Sequence, residues 1–491
     1  MSTFKKTLIF IAILLLLLIG VGAWLARGNT ADLSINEVSG TDPVILPPET
    51  EVFPTVQIAQ PVGWADDEVP AAAEGLAVTR FADGLDHPRV LHTLPNGDVL
   101  VTLTRSPGGF GADDDGIMAS IRNFIAGILF NRAGSAGESP NQLVLLRDAD
   151  GDGSAEQQVV LTDALDSPSG IAWANGKLYL ANHDEVLEFE YELGATSLSG
   201  EGRKLMDLPA GGGHWMRNLE LDPAGERLYV AVGSVSNVGE SGMDVEEGRA
   251  MVWEYNLATG GSRPFATGLR NPNGLDWNPW SGELWTTVNE RDMMGSDLVP
   301  DYLTSLPVGA NYGWPWIYYK DNFDRRVEDP MPMYMQEYVR WPEYALGPHV
   351  AALGLAFSSE GNRLGENFSQ GAFIARHGSW NRKPPSGYDV IYVEFDERGN
   401  PQGKPRTVLG SFLNDDGTTK GRPTWVAWAG DGALLVSDDT AGIIWRVIAP
   451  GTEPRAAIVR KQGKALRPQR ELRGGAASFG EDDYARTVPA Q

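Results

Sequence analysis

Three glycines, Gly211 to Gly213, lead into His214, and Arg217 and Asn218 follow within four residues. The chain has only six histidines among 491 residues, so one placed behind a flexible run and beside a guanidinium invites a chemical reading. An imidazole exchanges protons near neutral pH, and a guanidinium grips carboxylates through paired hydrogen bonds. The segment that follows, "LELDPAGERLYVAVGS" from Leu219 to Ser234, alternates and reverses like a hairpin. The first half of this stretch reads as groups held at the mouth of a site, the second as the scaffold behind them.

That hairpin is one of six. The others are "HPRVLHTLPNGDVLVTLT", "SPSGIAWANGKLYLAN", "NPNGLDWNPWSGELWTTVN", "AALGLAFSSEGNRLGENFSQGAFIARHGS" and "GRPTWVAWAGDGALLVSDD". Each turn holds Gly with Asn, Asp, Ser or Ala, as tight reversals require. Radial repetition limits exposed sheet edges, so six copies between residues 75 and 450 predict an all-β, six-bladed β-propeller. Irregular spacing places insertions between some copies. One of them, Gly116 to Arg132, has helical apolar spacing at Ile117, Ile121, Phe124, Ile125 and Ile128 and is expected as a helix on the rim.

Composition narrows the partners. A net charge of -25 argues against nucleic acid, which needs a positive field. The chain has no cysteine, which excludes disulfides, thiolate metal sites, a cysteine nucleophile and covalent haem attachment. Lys5 and Lys6 precede 19 uncharged residues, Leu8 to Ala26, about enough to span a hydrocarbon core. Residues 1–27 are therefore expected as an N-terminal transmembrane helix, single-pass in an inner membrane, with the body in the periplasm; a cleaved signal is the alternative. Residues 28–74 carry Pro43, Pro47, Pro48, Pro54, Pro61 and Pro70 and are expected as a semi-rigid linker. Residues 451–491 are expected as a basic C-terminal extension.

Residues just before each first strand recur at one end of a propeller, so a site assembles from them: Arg89, His214 with Arg217 and Asn218, Arg270 with Asn271, and Arg422. The fifth copy adds Arg376, His377, Trp380 and Arg382 in "RHGSWNRKPP". On an acidic chain such a set predicts a bound polyanion, although any single arginine is as readily a salt bridge to a neighbouring blade.

These motifs, with "GLRNPNGLDWNPWSGELWTTVNERD", "GANYGWPW" and "RHGSWNRKPPSGYDVI", resemble the glucose/sorbosone dehydrogenase family over roughly residues 75 to 450. The likeness is nearer its L-sorbosone and pyranose dehydrogenase branch. It implies pyrroloquinoline quinone (PQQ), a cofactor with three carboxylates and an electrophilic quinone, and a calcium ion beside it. It also implies a sugar, aldehyde or alcohol substrate. By that likeness His214 is the general base, Arg217 orients cofactor oxygens, and Asn271, Arg270, Trp380, Arg382, Arg422 and Arg89 contact the cofactor. Calcium ligands are expected from carbonyls and carboxylates between Asn289 and Asp297. The lysine that glucose-oxidising relatives place near the cofactor has no counterpart here; Arg376 or Arg382 occupies that neighbourhood.

A second calcium candidate is read from "DADGDGSAE": Asp148, Asp150 and Asp152 have the opening spacing of an EF-hand loop, while the twelfth position is Val159 rather than Glu. With no cysteine and no dinucleotide-binding glycine fingerprint, the electrons must leave to an external acceptor, a membrane quinone or a cytochrome. A calcium-dependent lactonase-like propeller and a non-catalytic binding propeller are the competing readings. The first calls for carboxylates converging on the channel, and the second leaves the arginines without a role.

Overall fold

Every one of the six hairpins forms the inner pair of strands of a blade. The computed structural model describes residues 27–51, 54–107, 127, 131–135 and 137–453. Blade I runs Pro88–Thr93, Val99–Leu103, Gln142–Arg147 and Gln157–Thr162 from channel to rim, and blade II runs Gly170–Ala174, Lys177–Ala181, Glu185–Glu190 and Arg203–Asp207. Blade III begins at Leu219–Leu221 and Arg227–Val232, blade IV at Asn271–Trp277 and Leu284–Asn289, and blade V at Ala352–Phe357 and Gly371–Arg376. Blade VI takes Pro423–Trp428, Leu434–Asp438 and Ile443–Ile448 from the end of the chain and its outer strand, Ala77–Ala82, from the beginning. Pairing the first and last strands of the propeller in one sheet closes the ring and leaves only the short outer edges of the blades.

The strands read as continuous apolar runs because both faces of a blade are covered. In Arg227–Val232, Leu228, Val230 and Val232 pack towards blade II while Tyr229 and Ala231 pack towards blade IV. Inner strands of neighbouring blades approach closely where they start. A Cβ on Gly274 would stand 2.4 Å from the Leu353 carbonyl oxygen of the next blade, so only glycine fits. The inner strands of blades I, IV, V and VI also slip register near their starts. A bulge re-aims the side chains beside it, and these bulges lie next to Arg89, Asn271 and Arg422.

In residues 28–74, expected as a linker, described residues lie against the propeller instead. Val38 and Ala59 are fully buried, Ala71–Ala72 adds a strand to blade V, and Gly40 bridges Ala345. Prolines keep the segment extended, and its amides find partners on the blades rather than in water. Among the described residues no helix is long and apolar enough to cross a membrane. The expected anchor, nearly all of the Gly116–Arg132 insertion, and all but the first residues of the C-terminal extension lie outside the described residues.

Candidate active site

The glycine run before His214 is held by two buried arginines. Arg217 donates to Pro209 O at 2.8 Å, to His214 O at 2.7 Å and to Met216 O at 3.1 Å. Arg249 donates to Gly211 O at 3.2 Å and also to Ala210 O. Main chain that glycine leaves free is thus fixed by guanidinium groups beside it. The imidazole is fixed from the other side: Nδ1 donates to Ser234 O at 2.8 Å, which leaves the Nε2 lone pair as the acceptor. Glu246 in turn holds that turn, accepting from Val235 N at 2.8 Å and Ser236 N at 2.9 Å. Burial, and then the charge of Arg270, push the His214 pKa down to about 3. The ring is therefore neutral at physiological pH and its Nε2 is free to accept a proton, while the lowered pKa makes it a weaker base than an exposed imidazole.

Asn271 comes beside His214 through Gly233, where a Cβ would meet Asn271 Oδ1 at 2.4 Å and His214 Cβ at 2.6 Å. Arg270 is spread over Glu290 O at 2.7 Å, Asn237 Oδ1 at 2.9 Å and the Asp292 carboxylate at 3.1 Å. Asp292 also meets His349 Nδ1 at 3.1 Å. Burial opposes a charged His349, but its hydrogen bond to Asp292 and that carboxylate's charge outweigh it and raise the pKa.

A second cluster stands across the mouth. Asp439 Oδ2 lies 2.5 Å from Arg89 Nη1, 2.9 Å from His377 Nε2 and 3.6 Å from His87 Nε2. Burial works against the Asp439 carboxylate's charge, but His377 and His87 hold its pKa well below the usual range, while burial drives His87 down to about 4. Arg89 links the clusters: its Nη2 is 2.9 Å from Met216 Sδ and its guanidinium lies over the Trp215 ring. Arg422 donates to Ala59 O at 3.3 Å and lies over the Tyr388 ring. Arg382 meets Asp297 at 3.4 Å and Leu33 O at 3.2 Å, and Trp380 beside it is partly exposed. Arg376 is a blade residue, forked onto Asp389.

The structure thus brings His214, Arg217, Arg270 and Asn271 together around Ser234, and sets Arg89 near Arg422 around His377. Arg382 and Trp380 lie under the N-terminal segment. Arg217, expected to orient cofactor oxygens, instead spends both terminal nitrogens on the loop that carries His214. Sequence reading passed over Arg249, Ser234, Glu246, His349, His87 and Asp439. His87 was within reach, since it immediately precedes the first strand of its blade, where the other site residues were sought.

The balance of charge at this mouth tests whether an anionic cofactor fits. Among the described residues, Arg217 and Arg422 are buried with carbonyl partners and no carboxylate. Burial, and then the neighbouring Arg249, lower the Arg217 pKa to about 9. The Nε atoms of Arg89, Arg217, Arg382 and Arg422, and both amide atoms of Asn218, are buried without a partner. Arg105 and Arg340 leave the same Nε atom over elsewhere, so the orphaned Nε alone does not mark the site. The donor that calls for an acceptor is the Arg422 guanidinium, buried at the mouth without a carboxylate. A carboxylate on a quinone fits that donor. Calcium at Asn289 to Asp297 fits less well: Asp292 and Asp297 already hold arginines, Glu290 holds Arg291 at 2.9 Å, and the Gly295 carbonyl faces His349 at 3.2 Å. As they stand, these groups do not form a divalent-cation site.

The EF-hand-like loop lies at the opposite end, between the third and fourth strands of blade I. Asp148, Asp150, Asp152 and Glu156 place ligand oxygens within 4.8 Å of one another. The fourth carboxylate comes from the ninth position of the loop; the twelfth is Val159.

A sequence profile of the TrAA12-like family matches residues 141–301 and 333–449. An uncharacterized protein of Borreliella burgdorferi is 28% identical over 305 residues, 58% of this chain and 77% of that protein. A pyrroloquinoline quinone-dependent pyranose dehydrogenase of Coprinopsis cinerea is 33% identical over 133 residues. That match takes in 23% of this chain and only 17% of that protein's length. A calcium structure of the Trichoderma reesei family AA12 enzyme superposes with a TM-score of 0.61 at 19% identity, covering 80% of this chain and 98% of that one. This last likeness is one of fold.

Proposed function

The chain belongs to the TrAA12-like family, and from that premise we propose that it is a PQQ-dependent dehydrogenase oxidising a sugar, or a related aldehyde or alcohol, at a CH–OH group. The observation that carries this reading is Arg422, a buried guanidinium at the mouth with no carboxylate, together with His214, whose Nδ1 is committed to Ser234 O. The pyranose dehydrogenase relative supports the cofactor. When bound, PQQ would supply an electron-accepting quinone and a carboxylate for Arg422, which lacks one. His214 Nε2 takes the substrate hydroxyl proton, since Nδ1 is committed to Ser234 O. Arg270 and Asn271 orient groups beside it, Arg422 supplies positive charge from the far side, where Arg89 is already paired with Asp439, and Arg217 with Arg249 keeps the base in place.

The lactonase-like alternative loses its basis, because the mouth carboxylates Asp292, Asp297 and Asp439 are each taken by arginine. A structural calcium in the Asp148 loop completes the assignment, supported by the fourth carboxylate of Glu156 and by the calcium in the neighbouring enzyme's structure. The apolar run Leu8 to Ala26 is read as the anchor that keeps the enzyme at the periplasmic face of an inner membrane, near an external acceptor. Purified apoprotein should be given PQQ and calcium and assayed for dye reduction across sugars, including sorbosone, and simple aldehydes. Sugar-dependent reduction that requires PQQ supports the assignment; equal rates without PQQ refute it.

A further inference from the structure

The segment with linker composition touches three residues assigned to the cofactor. Asp297, which is buried, accepts from Asp32 N at 2.6 Å and Leu33 N at 3.2 Å through one oxygen. Its other oxygen meets Arg382 at 3.4 Å, and Arg382 returns a hydrogen bond to Leu33 O at 3.2 Å. One carboxylate therefore ties the N-terminal segment to a loop of blade IV and a loop of blade V. The same two loops are stitched to the segment on both sides of this point. Ser296 N donates to Asn29 Oδ1 at 2.6 Å, Ala31 N to Lys383 O at 2.7 Å, and Asn381 Nδ2 to Thr55 O at 2.8 Å. Further on, Gln57 N donates to Trp380 O at 2.9 Å, and Arg422 donates to Ala59 O.

We propose that residues 28–51 and 54–59 form a wall of the cofactor site rather than a tether, and that Asp297 is the positioning residue that fastens it. The inference rests on the PQQ reading. Arg382 and Arg422 take hydrogen bonds to main-chain carbonyls of this segment, Leu33 O and Ala59 O. A guanidinium whose rotamer is fixed before binding loses less freedom when an anion arrives. Loosening the strap therefore leaves the charges in place but sets their aim free. Asp297 acts on the cofactor through Arg382 and the strap, without touching it.

The test uses the full-length chain and three variants. Asp297→Asn removes the charge at nearly constant shape, Asp297→Glu keeps it, and Asn29→Ala loosens the strap from its own side without altering a blade residue. Amide hydrogen exchange at Asp32 and Leu33 reports the strap in the apoprotein, and titration reports PQQ affinity. Asp297→Asn should speed that exchange and raise the PQQ dissociation constant roughly tenfold, the scale of one weakened charge-assisted bond. Asp297→Glu should recover most of both, a rescue that a merely space-filling role would not give. Asn29→Ala should shift both readings the same way, by less, and tests the strap even if Asp297→Asn fails to fold. Faster exchange with unchanged PQQ affinity would overturn this inference alone. Exchange unchanged in all variants would remove Asp297 as the fastening. Failure of the wild type to take up PQQ would instead overturn the cofactor reading, and this inference with it.

Discussion

The two ends of the central channel are built from the same six inner strands, yet they balance their charges differently. At the hairpin-turn end a cavity of about 1180 Å³ is lined by Trp173, Trp277 and Trp428 among the tight turns. Its charges are closed into pairs: Arg147 grips Asp98 at 2.6 and 2.7 Å, and Arg363 and Arg446 share Asp431. Trp277 and Trp428 donate to Leu221 O at 2.7 Å and Phe357 O at 2.8 Å on neighbouring inner strands. At the strand-start end Arg217 and Arg422 have no carboxylate, and Asn218 has no partner for its amide. A buried polar group without a partner is costly. At the first end the hydroxyls of Thr93 and Ser359 also lack partners, but its arginines are paired; at the second a buried arginine, Arg422, has no carboxylate. The repeat builds both ends, and what distinguishes the site is a buried arginine, Arg422, left without a carboxylate.

Breaking the comparison at its centre should give the largest effect. His214→Ala should lower kcat at least about a hundredfold, the usual scale for loss of a general base, while PQQ affinity changes much less. Steady-state kinetics with saturating PQQ checks this, and retained turnover would remove His214 from the chemistry. Next, Arg249→Met loosens the carbonyls of Ala210 and Gly211 without touching the imidazole. A base displaced by about an ångström can lose as much as a hundredfold, so a fall in kcat of about tenfold or more is expected. PQQ titration of the same variant should show near wild-type affinity.

The hairpin-turn end should respond in stability instead. Asp98→Ala leaves Arg147 without its forked partner and should cost about 1.5–3 kcal/mol, the range for hydrogen bonds to charged groups, in chemical denaturation. Its kcat, measured where the variant is folded, should match the wild type. The smallest effect belongs to the Asp148 loop. Calcium at ten times its dissociation constant should stabilise the wild type by about 1.4 kcal/mol and leave Asp150→Asn unmoved in a thermal melt. Equal calcium responses would mean that the four carboxylates are a solvated turn.

How much of this was legible in the sequence follows from the range of the interactions. The six hairpins were readable because their determinants are local: apolar runs such as "RLYVAV" and glycine-bearing turns at every reversal. His214 was readable for the same reason, since its glycines and Arg217 lie within four residues of it. The partners that define the site were not local. Arg89 meets Asp439 across 350 positions and Asp32 meets Asp297 across 265, and no spacing rule reaches that far. The linker reading failed on a related point. Proline content describes how stiff an extended chain is, but not whether the rest of the protein offers acceptors for its amides. The arginines read as one ring are divided by the structure: Arg376 is forked onto Asp389 within its blade, Arg382 meets the N-terminal segment, and Arg217 faces the loop rather than the mouth, because nearby carbonyls compete for its donors.

The central claim is that the strand-start end lacks an anion that PQQ supplies. Calorimetric titration of PQQ into the apoprotein, in the wild type, Arg422→Ala and Asp98→Ala, tests it most directly. One site per chain is expected in the wild type and in Asp98→Ala with equal affinity, and Arg422→Ala should bind at least about tenfold more weakly, in line with the loss of one charge-assisted hydrogen bond. Equal affinity in all three proteins, or no binding to the wild type, would contradict the account.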